Sequence, residues 1–271
     1  MSGGLEFTIL GCGSSGGVPR ADGDWGACDP AEPKNRRLRC SLLVRRRGEA
    51  GPETTVVVDT SPDLREQTIA ARVKRVDAVL FTHDHADQTH GIDDLRAFYL
   101  RQRAQIPAHM DAATFASLNN RFGYIFGARG GYPAILDGQV IPPHGEPWQV
   151  TGPSGPIPVI SFDQDHGNIH STGFRFGDVA YTPDVHAQPE SAFEALAGVD
   201  TWIVDALRYT PHPTHAHVAR TLEWIARVKP RRAILTNLHI DIDYNAIRAQ
   251  LPANVEPAYD GMVIERPLSR A

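Results

Sequence analysis

Two histidines and a carboxylate follow one another closely in residues 82–88, which read THDHADQ. The segment comes directly after a short apolar stretch, residues 77–81, that is typical of a buried strand. Imidazole and carboxylate groups are common zinc ligands, and a loop after a buried strand holds them rigidly. His83, His85 and Asp87 are therefore candidate metal ligands. The alternative is that these polar residues only solvate the end of the strand.

Three further candidates each stand just after a predicted strand. They are His166 after the strand at 159–162, Asp184 after the strand at 179–182, and His239 after the strand at 232–235. Any one of them alone would be interpreted as a turn or surface residue. As a set they recur at the C-terminal ends of strands, which is where open α/β architectures place their sites. We therefore include all three among the candidates.

Asp59 follows the same rule, because it ends the strand predicted at 54–59. In a functional role its carboxylate would orient a metal ligand or the attacking water without itself contacting the metal ion. An equally good interpretation is that Asp59 caps the helix that begins after Ser61 at Pro62.

The elements that must position these residues are strands and helices in two comparable halves. Strands are predicted at 5–11, 40–45, 54–59, 77–81, 106–110, 159–162, 173–176, 179–182, 201–205 and 232–235. Helices are predicted at 63–71, 91–103, 111–118, 190–197, 218–228 and 244–251. The pattern favours one α/β domain over residues 1–271, with sheets inside and helices outside. Residues 119–158 are rich in glycine, proline and aromatics, and we predict a loop-rich insertion with little regular structure there.

The bulk composition narrows the function classes. The 271 residues carry a formal net charge of -5, so no global basic field attracts nucleic acid or an anionic membrane. The N-terminal residues do not read as a signal peptide, and no later stretch is long and apolar enough to span a bilayer. The three cysteines form no CxxC motif, and reduced thiols in a cytoplasm are the simplest interpretation.

The order of the candidates, HxHxD and then a lone His, a lone Asp and a C-terminal His, resembles the metallo-β-lactamase superfamily of hydrolases. Four segments also resemble its PhnP-like branch, the phosphoribosyl cyclic phosphodiesterase-like enzymes. They are LGCGSSGGVP at 10–19, RRLRCS at 36–41, VDTSPD at 58–63 and HGIDDLR at 90–96. The resemblance covers nearly the whole chain. It implies an αββα sandwich, with two central mixed β-sheets flanked by helices.

The resemblance also implies two divalent metal ions per chain, zinc or manganese and alternatively iron. It makes His83, His85 and His166 the ligands of one ion, Asp87 and His239 the ligands of the second, and Asp184 a bridge between them. A hydroxide between the ions would be the nucleophile.

In the same pattern a histidine of the segment 212–217, HPTHAH, faces the substrate, and His215 aligns best with it. We predict that His215 is catalytic and either donates a proton to a leaving alkoxide or stabilises the charge on the phosphoryl group. The alternative is that His215 caps the helix that starts near His217.

The chain departs from the family pattern at two places. Gln88 stands where a further histidine is usual, and its carbonyl oxygen is a weaker and harder ligand than imidazole, so the second metal site should be weak. His90 would substitute only if the backbone bent. The early loop, where relatives carry a cysteine cluster for a structural zinc, has only Cys28, and we expect no such zinc.

These features predict a metal-dependent phosphoric diester hydrolase that acts on a small cyclic or nucleotide-like phosphodiester. We expect a small-molecule partner, no membrane and no nucleic acid, and a homodimer is left open. Two alternatives remain at this point. One is a hydrolase of another bond in the same fold, such as a thioester, a lactam or the 3′ end of a tRNA; the other is a non-catalytic ligand-binding protein on the same scaffold.

Overall fold

The computed structural model describes residues 4–48 and 51–267. The strands of the first sheet are β1 Gly4–Gly11, β2 Ser41–Arg46, β3 Thr54–Val58, β4 Ala78–Leu80, β5 Ile106–Met110, β6 Leu136–Val140 and β14 Val263–Pro267. Their order across the sheet is β14-β1-β2-β3-β4-β5-β6. From β14 to β3 neighbours are antiparallel, and from β3 to β6 they are parallel.

The second sheet repeats this plan. Its strands are β7 Pro147–Val150, β8 Ile157–Asp165, β9 His170–Phe176, β10 Val179–Thr182, β11 Thr201–Asp205, β12 Arg232–Thr236 and β13 Val255–Pro257. They lie in the order β13-β12-β11-β10-β9-β8-β7. Pairs from β7 to β10 are antiparallel and pairs from β10 to β13 are parallel. In each sheet the C-terminal ends of the parallel strands therefore lie at a common edge.

The helices cover the outer faces of both sheets. They are α1 Leu64–Ala70, α2 Ala86–Thr89, α3 Arg96–Gln102, α4 Ala112–Phe126, α5 Glu190–Leu196, α6 Val218–Val228 and α7 Tyr244–Arg248, with 3₁₀ helices at Pro33–Asn35 and Ile92–Leu95. No helix among the described residues is both long enough and apolar enough to traverse a lipid bilayer.

Three apolar layers hold the sandwich together. The central layer joins side chains of both sheets, among them Phe7 and Val58 of the first and Phe174 and Ile203 of the second. One outer layer packs the first sheet against α1, α3 and α4, and the other packs the second sheet against α5, α6 and α7. Because both faces of the central strands are covered, β3 is buried along its whole length and is an unbroken run of β-branched residues, TTVVV. The predicted αββα sandwich is confirmed.

The structure of residues 119–158 differs from the predicted loop-rich insertion. These residues do not lack regular structure, because α4 continues to Phe126 and the strands β6 and β7 lie within the segment. Both strands are short edge strands with mostly half-buried or exposed residues, so they carry no strong apolar alternation that a sequence pattern would reveal. The short strands β13 and β14 were not predicted for a similar reason.

The loop that carries the HxHxD segment is docked tightly on the loop after β3. The Thr60 amide donates to the Gln88 carbonyl oxygen at 2.7 Å, and the Gly91 amide donates to the Thr60 carbonyl oxygen at 2.8 Å. A Cβ atom at Gly91 would lie 2.0 Å from the Ser61 carbonyl oxygen and 2.9 Å from Leu64 Cβ. Glycine at this position therefore allows the two loops to approach each other.

We predict that Gly91→Ala lowers the free energy of unfolding by about 1–3 kcal/mol, because the added methyl group must push two backbones apart. Gly123→Ala in α4 is the matched control. Its Cβ would meet only side-chain tips at 3.6 Å or more, and alanine favours a helix, so the change should be under about 1 kcal/mol. Urea unfolding of both variants measures the difference, and equal stability of Gly91→Ala and wild type would contradict the docking role.

Candidate metal centre

Loops that follow strands of the two sheets meet at one place. His83 and His85 follow β4 of the first sheet, whereas His166 directly follows β8 of the second. One ligand atom from each of these three histidines lies within 4.8 Å of the other two. The structure thus brings His166 to two imidazoles that lie about 80 residues earlier in the sequence, in an arrangement that suits a divalent transition-metal ion.

His83 is held by a relay of hydrogen bonds from Asp59. The Asp59 carboxylate accepts from the Thr82 amide at 2.8 Å and from the Thr82 hydroxyl at 2.9 Å, and the Thr82 Oγ1 atom lies 2.9 Å from His83 Nδ1. With its hydroxyl proton given to Asp59, Thr82 accepts the Nδ1 proton of His83. His83 Nε2 is left as a buried lone pair with no hydrogen-bond partner among the described residues. Such an atom is costly unless a ligand meets it, and a metal ion would do so.

This relay decides between the two interpretations of Asp59. The residue that precedes α1 as its N-cap is Asp63, not Asp59, so the capping alternative is wrong. Asp59 is fully buried and has a left-handed backbone conformation, with φ of 61°. Burial raises the pKa of its carboxyl group well above the ordinary value, against the opposing effect of the two Thr82 hydrogen bonds. Its position matches the predicted role of orienting a metal ligand, which stays a prediction.

His166 is oriented in the same way by the backbone. Its Nδ1 donates to the Thr214 carbonyl oxygen at 2.7 Å, so its Nε2 carries the lone pair, and this atom lies 3.4 Å from His85 Nδ1. Burial is the main cause, and the charge of nearby His215 the second, of a pKa for His166 that is lowered to about 3. Burial likewise lowers the pKa of His83 well below its ordinary value. Both imidazoles are therefore neutral at pH 7, which is the state that binds metal.

Asp184 adds a carboxylate to this cluster. One ligand atom each of Asp184, His166 and His215 lie within 4.8 Å of one another. Asp184 is 2% exposed, and its two oxygens accept from the side-chain amides of Gln88 at 3.0 Å and Asn237 at 3.3 Å. Burial raises the pKa of this carboxyl group well above its ordinary value. A divalent ion beside Asp184 would compensate the cost of that buried charge.

His215 is held by Asp205, at the end of β11. His215 Nδ1 lies 2.9 Å from Asp205 Oδ2 and 3.7 Å from Asp184 Oδ1. Burial by itself would lower the pKa of His215, but the carboxylates, Asp205 first, outweigh it and raise the pKa to about 9. The alternative that His215 caps α6 is wrong, because its side chain bonds to Asp205 and the N-cap of α6 is His217.

Asp87 and His239 are placed differently. Among the described residues, neither belongs to a group of side chains close enough to hold an ion together. Asp87 is near the cluster, since its charge raises the pKa of Asp184 and of His215. His239 Nε2 instead lies 2.6 Å from an Arg20 guanidinium nitrogen. The ligand roles of these two residues stay predictions. His90 packs edge-on against Phe122, with ring centroids 5.7 Å apart, and does not join the cluster.

Sequence analysis missed three residues of the centre. Asp205 ends β11 just as Asp59 follows β3, so the strand-end rule that selected the other candidates would have found it. Asn237 has a φ of 61° and contacts both Asp184 and Asp205. It directly follows β12, two residues before His239, so the same rule would have selected it. Arg20 carries no signal in the sequence, because nothing indicates that its loop approaches His239, 219 residues away.

A protein-family model described as "Beta-lactamase superfamily domain" matches residues 54–240. Among solved structures, the chain is similar to one described as a new diphosphatase from the PhnP family. The two are 31% identical, with a TM-score of 0.84, over 96% of this chain and 97% of the other. Zn²⁺-bound PqqB from Methylobacterium extorquens is 18% identical, with a TM-score of 0.70 over 96% and 99% of the chains. That second likeness concerns the fold alone.

A curated relative, "Octanoyltransferase" from Porphyromonas gingivalis, is 27% identical over 263 residues. The match covers 95% of this chain but only 51% of the relative, so the chain spans about half the length of the curated relative that it matches. The name of that relative describes a protein of about twice this length.

We predict that His83→Ala abolishes tight binding of Zn²⁺ or Mn²⁺, because it removes a member of the three-histidine cluster whose Nε2 atom is buried and has no hydrogen-bond partner among the described residues. Asp184→Ala should weaken binding as well. His170→Ala is the matched control, since its imidazole is 74% exposed and, within the part of the chain that the structure describes, pairs with Asp163 alone. Isothermal titration calorimetry and elemental analysis measure the result, and undiminished metal content in His83→Ala would overturn the ligand assignment.

We also predict that Thr82→Val weakens metal binding by about 10–100-fold, because it breaks the relay that fixes the His83 tautomer. Thr68→Val is the control of equal chemistry, as its buried hydroxyl bonds only to carbonyl oxygens within α1. The same calorimetric titration distinguishes the two variants. If both bind metal as the wild type does, Asp59 and Thr82 do not position His83.

Proposed function

This chain belongs to the β-lactamase superfamily and, within it, to the PhnP family, and from this membership we propose that it is a metal-dependent phosphoric diester hydrolase. The substrate class that we propose is a small cyclic or nucleotide-like phosphodiester. The observation that carries the proposal is the position of His215, whose Nδ1 lies 2.9 Å from Asp205 Oδ2 beside the three-histidine cluster.

The residues of the centre fit a divalent ion. His83, His85 and His166 would hold it with Asp184, and this mixture of imidazole and carboxylate suits zinc, manganese or iron. When bound, such an ion lowers the pKa of a water molecule and polarises a phosphoryl oxygen. The buried, unpartnered Nε2 atom of His83 supports this assignment independently of the family resemblance.

His215 would supply the proton that the leaving group needs. Its pKa of about 9 means that the imidazole is protonated at neutral pH. Asp205 takes up the Nδ1 side of the ring, so the Nε2 proton is the one available to a substrate. An alkoxide leaving from phosphorus is strongly basic, and a positioned acid there contributes about 10²–10⁴-fold.

The same feature weighs against a thioester substrate. A thiolate is a much weaker base than an alkoxide and departs without a proton, so a thioesterase gains little from a held imidazolium. The similarity to a diphosphatase supports chemistry at phosphorus as well, because both reactions cleave a phosphorus–oxygen bond. A non-catalytic role on the same scaffold would need no proton donor beside the three-histidine cluster.

We predict that the metal-loaded chain hydrolyses bis(p-nitrophenyl) phosphate and also a cyclic nucleotide phosphodiester. His215→Gln should lower turnover of the cyclic nucleotide by about 10²–10⁴-fold and that of the p-nitrophenyl ester much less, because p-nitrophenolate needs no proton to leave. Metal content should stay unchanged. His170→Gln, on an exposed site, is the control.

Asp205→Asn tests the same assignment through pH. Removing the carboxylate that raises the pKa of His215 should lower that pKa, so the alkaline limb of the cyclic nucleotide reaction should move to lower pH. No hydrolysis of either substrate under zinc, manganese or iron loading would overturn the proposed function. Loss of metal from His215→Gln would make His215 a ligand and not a proton donor.

A further inference from the structure

In this chain, two of the side chains that the family pattern assigns to a second metal ion contact other groups of the protein. That pattern uses Asp87, the residue at position 88, Asp184 and His239. Within 4–48 and 51–267, these side chains form no cluster of ligand atoms comparable to the three histidines. The contacts of His239 and Gln88 show why.

The lone pair of His239 that would face a metal is used by an arginine. A guanidinium has only donors, so the 2.6 Å contact between Arg20 and His239 Nε2 makes this nitrogen the acceptor. The other ring nitrogen of His239, Nδ1, lies 3.1 Å from the Asp241 carboxylate but has no hydrogen-bond partner among the described residues. An ion at Nε2 would have to displace a cation that already occupies this direction.

Gln88 turns its donor towards the Asp184 carboxylate. Its amide nitrogen donates to Asp184 at 3.0 Å, and an amide nitrogen does not ligate metal. The Oε1 atom of Gln88 is buried and has no hydrogen-bond partner among the described residues. The family histidine in this place would offer a lone pair to a metal ion, whereas the Gln88 amide donates a hydrogen bond to the Asp184 carboxylate.

Arg20 lines a cleft of about 610 Å³ that also reaches Asp87, beside the centre. Asp87 and Arg39 line the same cleft, but Arg39 is already paired with Asp63 at 3.0 Å. Arg20 is exposed, and its only side-chain hydrogen bond within the described part of the chain is the one to His239. Its positive charge is therefore available to an incoming anion.

We propose that the centre takes one metal ion and that the guanidinium of Arg20 supplies the second positive charge, as a binding site for the phosphate group of the substrate. This inference rests on the proposed function and deepens it. A guanidinium offers two parallel donors that match two phosphoryl oxygens. A guanidinium cannot ionise water, so Arg20 would contribute to binding and to charge stabilisation, and the single ion, when bound, would supply the activation of water.

The first test is metal stoichiometry, which needs no turnover. The full-length chain is stripped with a chelator and titrated with Mn²⁺ or Zn²⁺ in a calorimeter, with elemental analysis of the dialysed product. We expect about one ion per chain in the wild type and about two in the double variant Arg20→Ala with Gln88→His, since it restores the histidine and removes the competing cation. Two tightly bound ions in the wild type would overturn the proposal, and so would a single ion in a folded double variant.

The second test is binding of inorganic phosphate to the metal-loaded chain, again by calorimetry. Arg20→Ala should weaken phosphate binding by about tenfold or more, because it removes a charge-assisted hydrogen bond. Arg20→Lys should recover part of the affinity, and Arg101→Ala on the exposed face of α3 should bind as the wild type does. Undiminished binding by Arg20→Ala would overturn the role of Arg20.

The experiments distinguish failure of the proposed function from failure of the role of Arg20. If the wild type holds two ions and still cleaves phosphodiesters, the proposed function stands and the role of Arg20 is wrong. If one ion and Arg20-dependent phosphate binding are found but no phosphodiester is cleaved, Arg20 is an anion site and the proposed reaction is wrong.

Discussion

Three carboxylates are buried together where the two sheets meet, and the surrounding structure is organised around their charge. Asp59, Asp184 and Asp205 are each no more than 2% exposed. Each buried charge costs several kcal/mol unless it is paired or hydrogen-bonded. Two Thr82 donors satisfy Asp59, two side-chain amides satisfy Asp184, and the imidazolium of His215 satisfies Asp205. Burial raises the pKa of all three because it disfavours the charged form, and a cation bound nearby would stabilise that form.

This constraint explains why the site lies at strand ends. The central strands β3 and β4 carry no carboxylate, because both of their faces are covered by apolar layers. The loop after a strand can instead turn the backbone inwards, as the left-handed conformations of Asp59 and Asn237 show. The ends of parallel strands are the only places where several such turns lie side by side. The buried carboxylates, the left-handed turns and the parallel strand pairing therefore occur together at the same edge of the sheets.

Much of this arrangement could be predicted from the sequence, because strand-end position is a local property. Runs such as residues 54–58 indicate their strands, and a polar residue directly after such a run marks a candidate. The rule selected His83, His166 and Asp184, which the structure brings together. It failed for residues whose role depends on distant contacts. Arg20 meets His239 only through the folding of an N-terminal loop over the other half of the chain, and no periodicity encodes that contact.

The donors of the centre are divided between the two halves of the sandwich. His83 and His85 come from the first sheet, while His166 and Asp184 come from the second. A bound ion would therefore act as a non-covalent cross-link between the layers, and only the assembled sandwich offers all its donors. Mass action then couples binding to folding: with the free ion at about 100 times its Kd, the folded state gains about 2.7 kcal/mol. Supply of the metal in the cell would in this way control how much folded protein persists, in addition to how much is active.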